Sequence, residues 1–188
     1  MARTSDEPWR SYAYAACYCE ENIWHLALRR RHMGRDAGAV VLISNAGRSV
    51  ALGAQRTGRG ESRVTVWDYH VVYVEAGEVY DLDTTLPLPA PAQVYVDATF
   101  PTAFSGPESP YRPGFSVLTA ARYLEAFSSD RAHMRDAAGR YLAPAPPWPP
   151  IYHTELGNTL FALVDGAHEA VCYTGSRFPL EPDDLLHP

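Results

Sequence analysis

The chain has 188 residues, a formal net charge of −6 at pH 7 and a hydrophobic fraction of 46%. These values are typical of one soluble globular domain with a sizeable core, so we expect residues 1–188 to form a single domain. All 16 basic residues are arginine, which excludes chemistry that requires lysine, such as Schiff-base formation. No basic stripe indicates a nucleic-acid partner, and no run of 18 apolar residues indicates a membrane span.

The beginning of the chain and its low cysteine count point to a cytoplasmic protein. The first eleven residues are polar, contain no apolar signal-peptide core and are predicted to be loose. There are only three cysteines, an odd number that does not favour a disulfide framework. We therefore expect reduced thiols in a reducing compartment.

The pattern of elements predicts an α+β fold. A helix is expected at 19–32, where glutamates fill the first turn and arginines the last. The apolar run at 39–44 predicts a buried strand, with 49–54 as its antiparallel return. The Val- and Tyr-rich stretch at 64–84 predicts a β-hairpin that turns at residues 75–77. The remaining predictions are a short strand at 94–97, a helix at 116–127 capped by Ser116, Pro-rich coil at 142–150, a helix near 158–164 and a strand near 169–174.

Cys19 stands where the first helix begins. Unpaired backbone N–H groups and the positive end of the helix dipole can stabilise a thiolate there, and can also hold an oxyanion. A buried, inert cysteine would explain the same position. Cys17 completes a C-x-C pair, but no second Cys/His pair follows at zinc-binding spacing, so we expect no metal site.

His70 lies in the first strand of the predicted hairpin. If Ala76 and Gly77 form the turn, His70 faces Asp83 and is a diagonal neighbour of Asp81 on the same face of the sheet. One extra loop residue would move His70 to the other face. A histidine held by a carboxylate can take a proton from a thiol and return it to a leaving group. The pattern leaves the choice between the two aspartates open, and both could instead cap the turn that follows.

Five motifs in order resemble the protein N-terminal glutamine amidohydrolase family. They are CYCEENIW at 17–24, VWDYHVV at 66–72, YDLDT-LP-P at 80–89, SDR-HM-D at 129–136 and PPWP at 146–149. The resemblance runs from about residue 12 to about residue 150. It implies hydrolysis of the side-chain amide of an N-terminal glutamine to glutamate and ammonia, without a metal or cofactor. It also implies a fold like that of transglutaminases and papain-like thiol enzymes.

Matched motif by motif, the resemblance assigns Cys19 as nucleophile, His70 as base and Asp81 as the acid that orients the histidine. Asp81 is also the diagonal partner that the hairpin predicts. The implied partners are proteins or peptides with a free N-terminal glutamine, met by a monomer that binds neither nucleic acid nor membrane.

Such a substrate carries an α-ammonium group that must be recognised by carboxylates or carbonyls. The candidates are Glu20, Glu21, Asp68 and Asp83, while the indole N–H of Trp67 is a candidate second donor to the oxyanion. Each carboxylate also has a competing interpretation. Glu20 and Glu21 favour a helix start, Asp83 can cap a turn, and Asp68 points to the face opposite His70 if the strand is regular. Two other functions stay open. One is a thiol peptidase or transglutaminase-like enzyme with the same triad, and the other is a non-catalytic module that binds N-terminal residues.

Overall fold

The computed structural model describes residues 11–35, 37–167 and the backbone of 171–174. Most of the N-terminal stretch predicted to be loose, residues 1–10, lies outside this part of the chain. Within it, no helix is long and apolar enough to cross a membrane. The helical elements within the described residues include α1 (Cys19–His32), α2 (Ala92–Thr99), α3 (Thr102–Ser105), α4 (Ala120–Ala126), a 3-10 turn (Ala132–Met134) and α5 (Leu160–Val164).

The strands of the described chain form two antiparallel sheets. They are β1 (Ala39–Ser44), β2 (Val50–Leu52), β3 (Thr65–Trp67), β4 (Tyr69–Glu75), β5 (Glu78–Tyr80), β6 (Ala90–Pro91), β7 (Gly114–Thr119) and β8 (Val171–Thr174). The larger sheet has the order β6-β5-β4-β1-β7-β8, and the smaller one pairs β2 with β3. The predicted α+β class with a mainly antiparallel sheet is confirmed.

The central strand β1 is buried on both faces of the larger sheet. Val40 and Leu42 pack into one apolar cluster with side chains from α1, α4 and α5. Val41 and Ile43 pack into a second cluster with Tyr95 of α2. Burial on both sides explains why the strand reads as a continuous apolar run rather than an alternating one.

The hairpin formed by β4 and β5 has the predicted register. Tyr73 pairs with Tyr80, and Glu75 pairs with Glu78. The two turn residues, Ala76 and Gly77, both have positive φ, at 51° and 76°. Two consecutive residues in this region are the hallmark of the tight turn that matches the twist of paired strands. This turn fixes which side chains of β4 and β5 share a face.

The segment predicted as a strand at 94–97 is instead part of helix α2. Ala92, Tyr95 and Thr99 are the buried residues of this helix, at the spacing of one helical face. Val94 is exposed, with 49% of its surface accessible. The prediction was wrong because the Val-Tyr-Val sequence favours a strand locally, whereas packing of Tyr95 into the second apolar cluster favours a helix.

Two further predictions need correction. Residues 114–119 form strand β7 against β1, and the helix begins only at Ala120, capped by the hydroxyl of Thr119. Ser116 lies inside the strand and donates a hydrogen bond to the carbonyl of Leu163 at 2.7 Å. The segment 116–127 joins the end of a strand to the start of a helix, and so short an apolar segment does not distinguish the two, which explains the error. Strand β2 likewise pairs with β3 and not with β1.

The C-terminal predictions agree with the backbone. Helix α5 and strand β8 lie within the predicted segments near 158–164 and 169–174, and residues 142–150 contain no helix or strand.

Candidate active site

Cys19 opens onto a cavity at the start of helix α1. It is the first helical residue and 8% of its surface is exposed. The cavity has a volume of about 210 Å³. Four residues singled out from the sequence contribute to its wall, and the full lining is Cys17, Cys19, Trp67, Asp68, Tyr69, Asp83 and Met134. The fold therefore gathers candidates from three separate motifs around one thiol.

Asn22 holds the chain that leads into Cys19. Its side-chain amide accepts a hydrogen bond from the backbone N–H of Ala15 at 2.8 Å and donates one to the carbonyl of the same residue at 2.9 Å. Between these anchors Cys17 adopts a positive φ of 68°. Asn22 therefore has a structural role, because it fixes the turn that positions Cys19.

Glu21 faces away from the cavity and joins three of the motifs. Arg131 donates two hydrogen bonds of 2.7 Å to its carboxylate, and the indole N–H of Trp148 donates a third at 2.7 Å. Glu21 and Arg131 are both buried. The SDR and PPWP sequences therefore pack on the helix start through this one carboxylate, which leaves Glu21 unsuited to bind a substrate ammonium.

Glu20 lies directly behind the cysteine and is fully buried. Its Oε2 accepts a hydrogen bond from the sulphur of Cys19 at 3.7 Å. Its Oε1 accepts no hydrogen bond from the part of the chain that the structure describes, although Nε2 of His133 lies 3.5 Å away. Glu20 does not form part of the cavity wall. The hydroxyl of Tyr69 also approaches Glu20, and burial and next this carboxylate raise the pKa of Tyr69. The nucleophile candidate therefore sits beside a buried carboxylate.

His70 and Asp81 are hydrogen-bonded. Nε2 of His70 lies 2.9 Å from Oδ1 of Asp81, and both side chains are buried. Asp81 follows directly after the last paired residue of β5, which places it at the diagonal position that the hairpin register predicts. Of the two aspartates left open by the sequence pattern, Asp81 is the one that holds the imidazole.

Asp81 is surrounded by hydrogen-bond donors. Besides His70, the backbone N–H of Asp83 donates to Oδ1 at 2.8 Å. Gln55 donates to Oδ2 at 3.0 Å, and the hydroxyl of Tyr95 donates to the same oxygen at 2.9 Å. Burial opposes ionisation of this carboxyl, but the neighbouring His70 and the donors outweigh it and lower the pKa of Asp81 to about 2.

Gln55 and Tyr95 were missed by sequence reasoning. Gln55 lies between the strand predicted at 49–54 and the hairpin predicted at 64–84, and Tyr95 lies in the segment predicted to be a strand. Neither has a sequence signal that links it to Asp81, because the contacts span 26 and 14 residues of the chain.

The other ring nitrogen of His70 is available for proton transfer. Its Nδ1 is buried and has no hydrogen-bond partner among the described residues. Burial acts to lower the pKa of His70, but the Asp81 carboxylate overcomes this and the pKa is raised. The ring of Trp67 stacks on the imidazole, with 5.4 Å between centroids and 17° between planes. The indole nitrogen of Trp67 is likewise buried without a partner among the described atoms.

Asp83 lines the cavity, but its carboxylate is already engaged. The hydroxyl of Tyr14 donates to Oδ1 at 2.6 Å, and Arg56 approaches the same oxygen at 3.3 Å. Asp68, by contrast, is exposed at a bend between β3 and β4, where Oδ1 accepts the backbone N–H of Tyr69 at 2.9 Å. Asp68 is therefore the more accessible of the two carboxylates. Tyr14 and Arg56 are further site residues that the sequence pattern did not reveal.

The state of the Cys19 thiol differs from the sequence expectation. A helix start was expected to stabilise the thiolate. Instead the pKa of Cys19 is raised well above its ordinary value, first because the thiol is buried and next because Glu20 lies beside it. The backbone N–H of Val71, the residue after His70, acts in the opposite direction but does not prevail. In the free protein the neutral thiol is favoured.

The carboxylates of Asp81 and Asp83 and the imidazole of His70 offer ligand atoms within 4.8 Å of one another. These groups could surround a cation. However, both oxygens of Asp81 accept hydrogen bonds from protein donors, and Asp83 accepts hydrogen bonds from Tyr14 and Arg56. Protein donors therefore already satisfy the two carboxylates. The expectation of no metal stays a prediction.

Comparison with known proteins places this chain in a family. A sequence model of the N-terminal glutamine amidase family matches residues 14–179. The chain belongs to the N-terminal glutamine amidase family. The match extends beyond residue 150, where the motif resemblance becomes weak, and so includes helix α5 and strand β8.

Individual members of the family agree with this assignment. The chain is 42% identical over 155 residues to the protein N-terminal glutamine amidohydrolase of Drosophila pseudoobscura pseudoobscura, covering 78% of this chain and 73% of the relative. It is 42% identical over 176 residues to the protein of the same name from Drosophila ananassae, covering 89% and 82% of the two chains. The resemblance seen in the five motifs is therefore confirmed over most of the chain.

Proposed function

We propose that this protein hydrolyses the side-chain amide of an N-terminal glutamine in proteins or peptides, producing glutamate and ammonia. The observation that carries the proposal is the imidazole of His70, held by Asp81, in a member of the N-terminal glutamine amidase family. Val71 directly follows His70 and has its backbone N–H beside the sulphur of Cys19. A thiol, a base and an orienting acid are the groups that acyl transfer from an amide requires.

The reaction begins with attack of Cys19 on the side-chain amide carbon. Because the thiol is protonated at rest, its proton passes to His70 as the carbon–sulphur bond forms. The oxyanion is held by the backbone N–H of Cys19 and by the indole N–H of Trp67, which is buried without a partner among the described atoms. His70 then gives its proton to the departing nitrogen, and ammonia leaves a thioester on the sulphur.

Water completes the cycle. His70, now neutral, takes a proton from a water molecule that attacks the thioester carbon. The resulting tetrahedral species collapses, the carbon–sulphur bond breaks, and the proton returns to Cys19 as the glutamate product forms. Asp81 fixes the ring orientation and stabilises the imidazolium in both halves of the cycle. No metal or cofactor takes part in this scheme.

Selection of the N-terminal residue requires a group that reads the free α-ammonium. Asp68 is best suited because it lines the cavity and is exposed at its mouth. Asp83 contributes negative charge, but Tyr14 and Arg56 already occupy it. Glu20, another predicted substrate-binding residue, contacts the sulphur but is fully buried and is not part of the cavity wall. In this arrangement the amide lies inside and the ammonium at the mouth.

The finer points of architecture and setting are proposals too. A helix that carries the thiol at its first residue and packs on an antiparallel sheet supports a relationship to transglutaminases and papain-like thiol enzymes. We propose that residues 1–188 act as one catalytic domain and as a monomer in the cytoplasm. Its partners are then chains with a free N-terminal glutamine, and neither nucleic acid nor membrane takes part.

The test measures ammonia release from two peptides that differ only at the N-terminus. One begins with free Gln-Gly and the other with acetyl-Gln-Gly. Release from the free peptide only is expected, with loss of release in Cys19→Ala. Cys17→Ser is the matched control, since it changes the other thiol of the C-x-C pair and should retain measurable release.

Each other outcome points to a different function. Release from both peptides would favour a general glutaminase or transglutaminase-like enzyme. No release from either peptide would reject the amidase and favour the N-terminal-residue binding module.

A further inference from the structure

We propose that the buried carboxylate of Glu20 expels the reaction product by repelling the newly formed glutamate side chain. The inference rests on the proposed function, because it concerns the carboxylate that hydrolysis creates at Cys19. It assigns Glu20 a role different from binding the α-ammonium group. Replacing an ammonium-binding residue would weaken binding of the product, whereas replacing a residue that repels the product should strengthen it.

The position of Glu20 is the starting point. Its Oε2 lies 3.7 Å from the sulphur of Cys19, and the side chain is fully buried. Among the described residues, Glu20 makes no ion pair as short as the one between Arg131 and Glu21. Nε2 of His133 lies 3.5 Å from Oε1 without a hydrogen bond between them, and His70 is close enough for Glu20 to raise the pKa of its imidazole.

Chemistry brings the product close to this charge. The carbon that is attacked becomes bonded to the sulphur, so it lies one covalent bond from an atom that is 3.7 Å from Oε2 of Glu20. Hydrolysis converts that same carbon into a carboxylate. Like charges disfavour each other's ionised form within about 4–6 Å, and burial strengthens the effect. The product carboxylate therefore forms close to a buried carboxylate that repels it.

The substrate does not suffer this repulsion. Its side-chain amide is neutral, and the amide NH₂ can donate a hydrogen bond to a carboxylate oxygen. The N-terminal ammonium adds one positive charge, which the exposed carboxylate of Asp68 attracts. After hydrolysis the ammonium and the new carboxylate cancel. Asp68 meets the ammonium, which substrate and product share, so the difference between them lies at the side-chain end beside Glu20.

The pKa of the Cys19 thiol is affected by the same Glu20 carboxylate. A thiolate on Cys19 is disfavoured by burial and next by Glu20, as its raised pKa indicates. The product carboxylate forms on the carbon that was bonded to this sulphur, so it is repelled by Glu20 as well. The geometry of the Glu20–Cys19 contact therefore applies to any negative charge generated at this point.

The test uses Cys19→Ala, which binds peptides without turning them over. Calorimetry at pH 7 compares peptides that begin with free Gln-Gly and with free Glu-Gly. The Glu peptide is expected to bind about tenfold more weakly than the Gln peptide. Adding Glu20→Gln should close most of this gap by tightening the Glu peptide. Unchanged or weaker binding of the Glu peptide in the double variant would overturn the proposal.

A matched control separates expulsion from ammonium binding. Asp68→Asn also replaces one acid by its amide, but Asp68 lies in the cavity wall and both peptides carry the ammonium group that it meets. This change should weaken both peptides by a similar factor. If Glu20→Gln behaves in the same way as Asp68→Asn, then Glu20 binds the ammonium and does not expel the product.

A second measurement needs no change at Glu20, in case its variant does not fold. The γ-methyl ester of the Glu peptide is neutral and has nearly the same shape. It should bind Cys19→Ala about as tightly as the Gln peptide does, and equal affinity of the ester and the acid would overturn the proposal. Ammonia release by the wild type is measured in parallel. Release without discrimination rejects only product expulsion, whereas no release rejects the proposed function and product expulsion with it.

Discussion

The guanidinium of Arg131 makes two hydrogen bonds of 2.7 Å to the two carboxylate oxygens of Glu21, two residues after Cys19. Trp148 adds a third bond to the same carboxylate, also 2.7 Å long. Three sequence motifs therefore meet at one buried charge that is not part of the cavity wall. Their shared task is to fix the start of helix α1 and with it the position of the thiol.

Arg131→Met should strongly destabilise the fold. It leaves the Glu21 carboxylate buried and without its cation, which typically costs about 3–5 kcal/mol. The free energy of unfolding from urea titration at pH 7 measures the loss. Arg140→Met is the matched control, because Arg140 pairs with Asp136 at an exposed position and its loss should leave stability close to wild type. Equal stability of the two variants would contradict a structural role for the Arg131–Glu21 pair.

Acid should destabilise the protein through Asp81. Its pKa is lowered from 3.8 to about 2 in the folded state. A lowered pKa stabilises the fold at pH values above the unfolded pKa, and this contribution is lost as the pH falls from about 4 towards about 2. It amounts to the order of 2 kcal/mol. Unfolding free energies measured from pH 5 to pH 2 should show the slope in the wild type, and Asp81→Asn should lack this share of it.

The titration of His70 should depend on Asp81. The pKa of His70 is raised above its usual 6.5 because the neighbouring carboxylate overcomes the effect of burial. Its contribution to stability is therefore complete below about pH 6.5 and is lost as the pH rises through the folded pKa. NMR of the imidazole should give a midpoint above 6.5 in the wild type. In Asp81→Asn the midpoint should fall, since burial is then opposed only by the weaker effects of Asp83 and Glu20. An unchanged midpoint would show that Asp81 does not control the ring.

Tyr95→Phe should weaken the support of Asp81 without touching the cavity. The hydroxyl donates to Oδ2 at 2.9 Å, and a hydrogen bond to a charged group contributes about 1.5–3 kcal/mol. We expect a stability loss of that size at pH 7 and a higher pKa for Asp81. Tyr111→Phe is the control, since Tyr111 is an exposed tyrosine in another part of the surface. The prediction fails if Tyr95→Phe unfolds at the same urea concentration as this control.

Alkylation should be slow at Cys19 in the free protein. Burial and the Glu20 carboxylate raise the pKa of its thiol, so little thiolate is present at pH 7. Mass spectrometry after timed exposure to iodoacetamide measures each cysteine separately. Glu20→Gln should move the pH midpoint of Cys19 alkylation downwards, while Cys17, which is exposed, serves as the internal reference. A Cys19 that is alkylated rapidly at neutral pH in the wild type would contradict the raised pKa.

Local patterns determined the elements that carry the three predicted catalytic residues. The charge distribution along 19–32 predicted helix α1 with its observed bounds, because acidic and basic residues at the two ends suit the helix dipole. The two-residue turn at Ala76 and Gly77 determined the register of β4 and β5, and so the contact between His70 and Asp81. Both relationships involve residues close together in the chain, where period and turn geometry suffice.

Only the tertiary structure decided what surrounds those residues. Tyr95 reaches Asp81 because 92–99 folds as a helix to bury one face, against the local preference of its valines. Tyr14 contacts Asp83 across 69 residues of chain, and Arg131 contacts Glu21 across 110. The raised pKa of Cys19 also depends on burial, which no helix-start pattern reveals. These features follow from packing between segments that are distant in the chain, and the local periodicity of a sequence does not predict such packing.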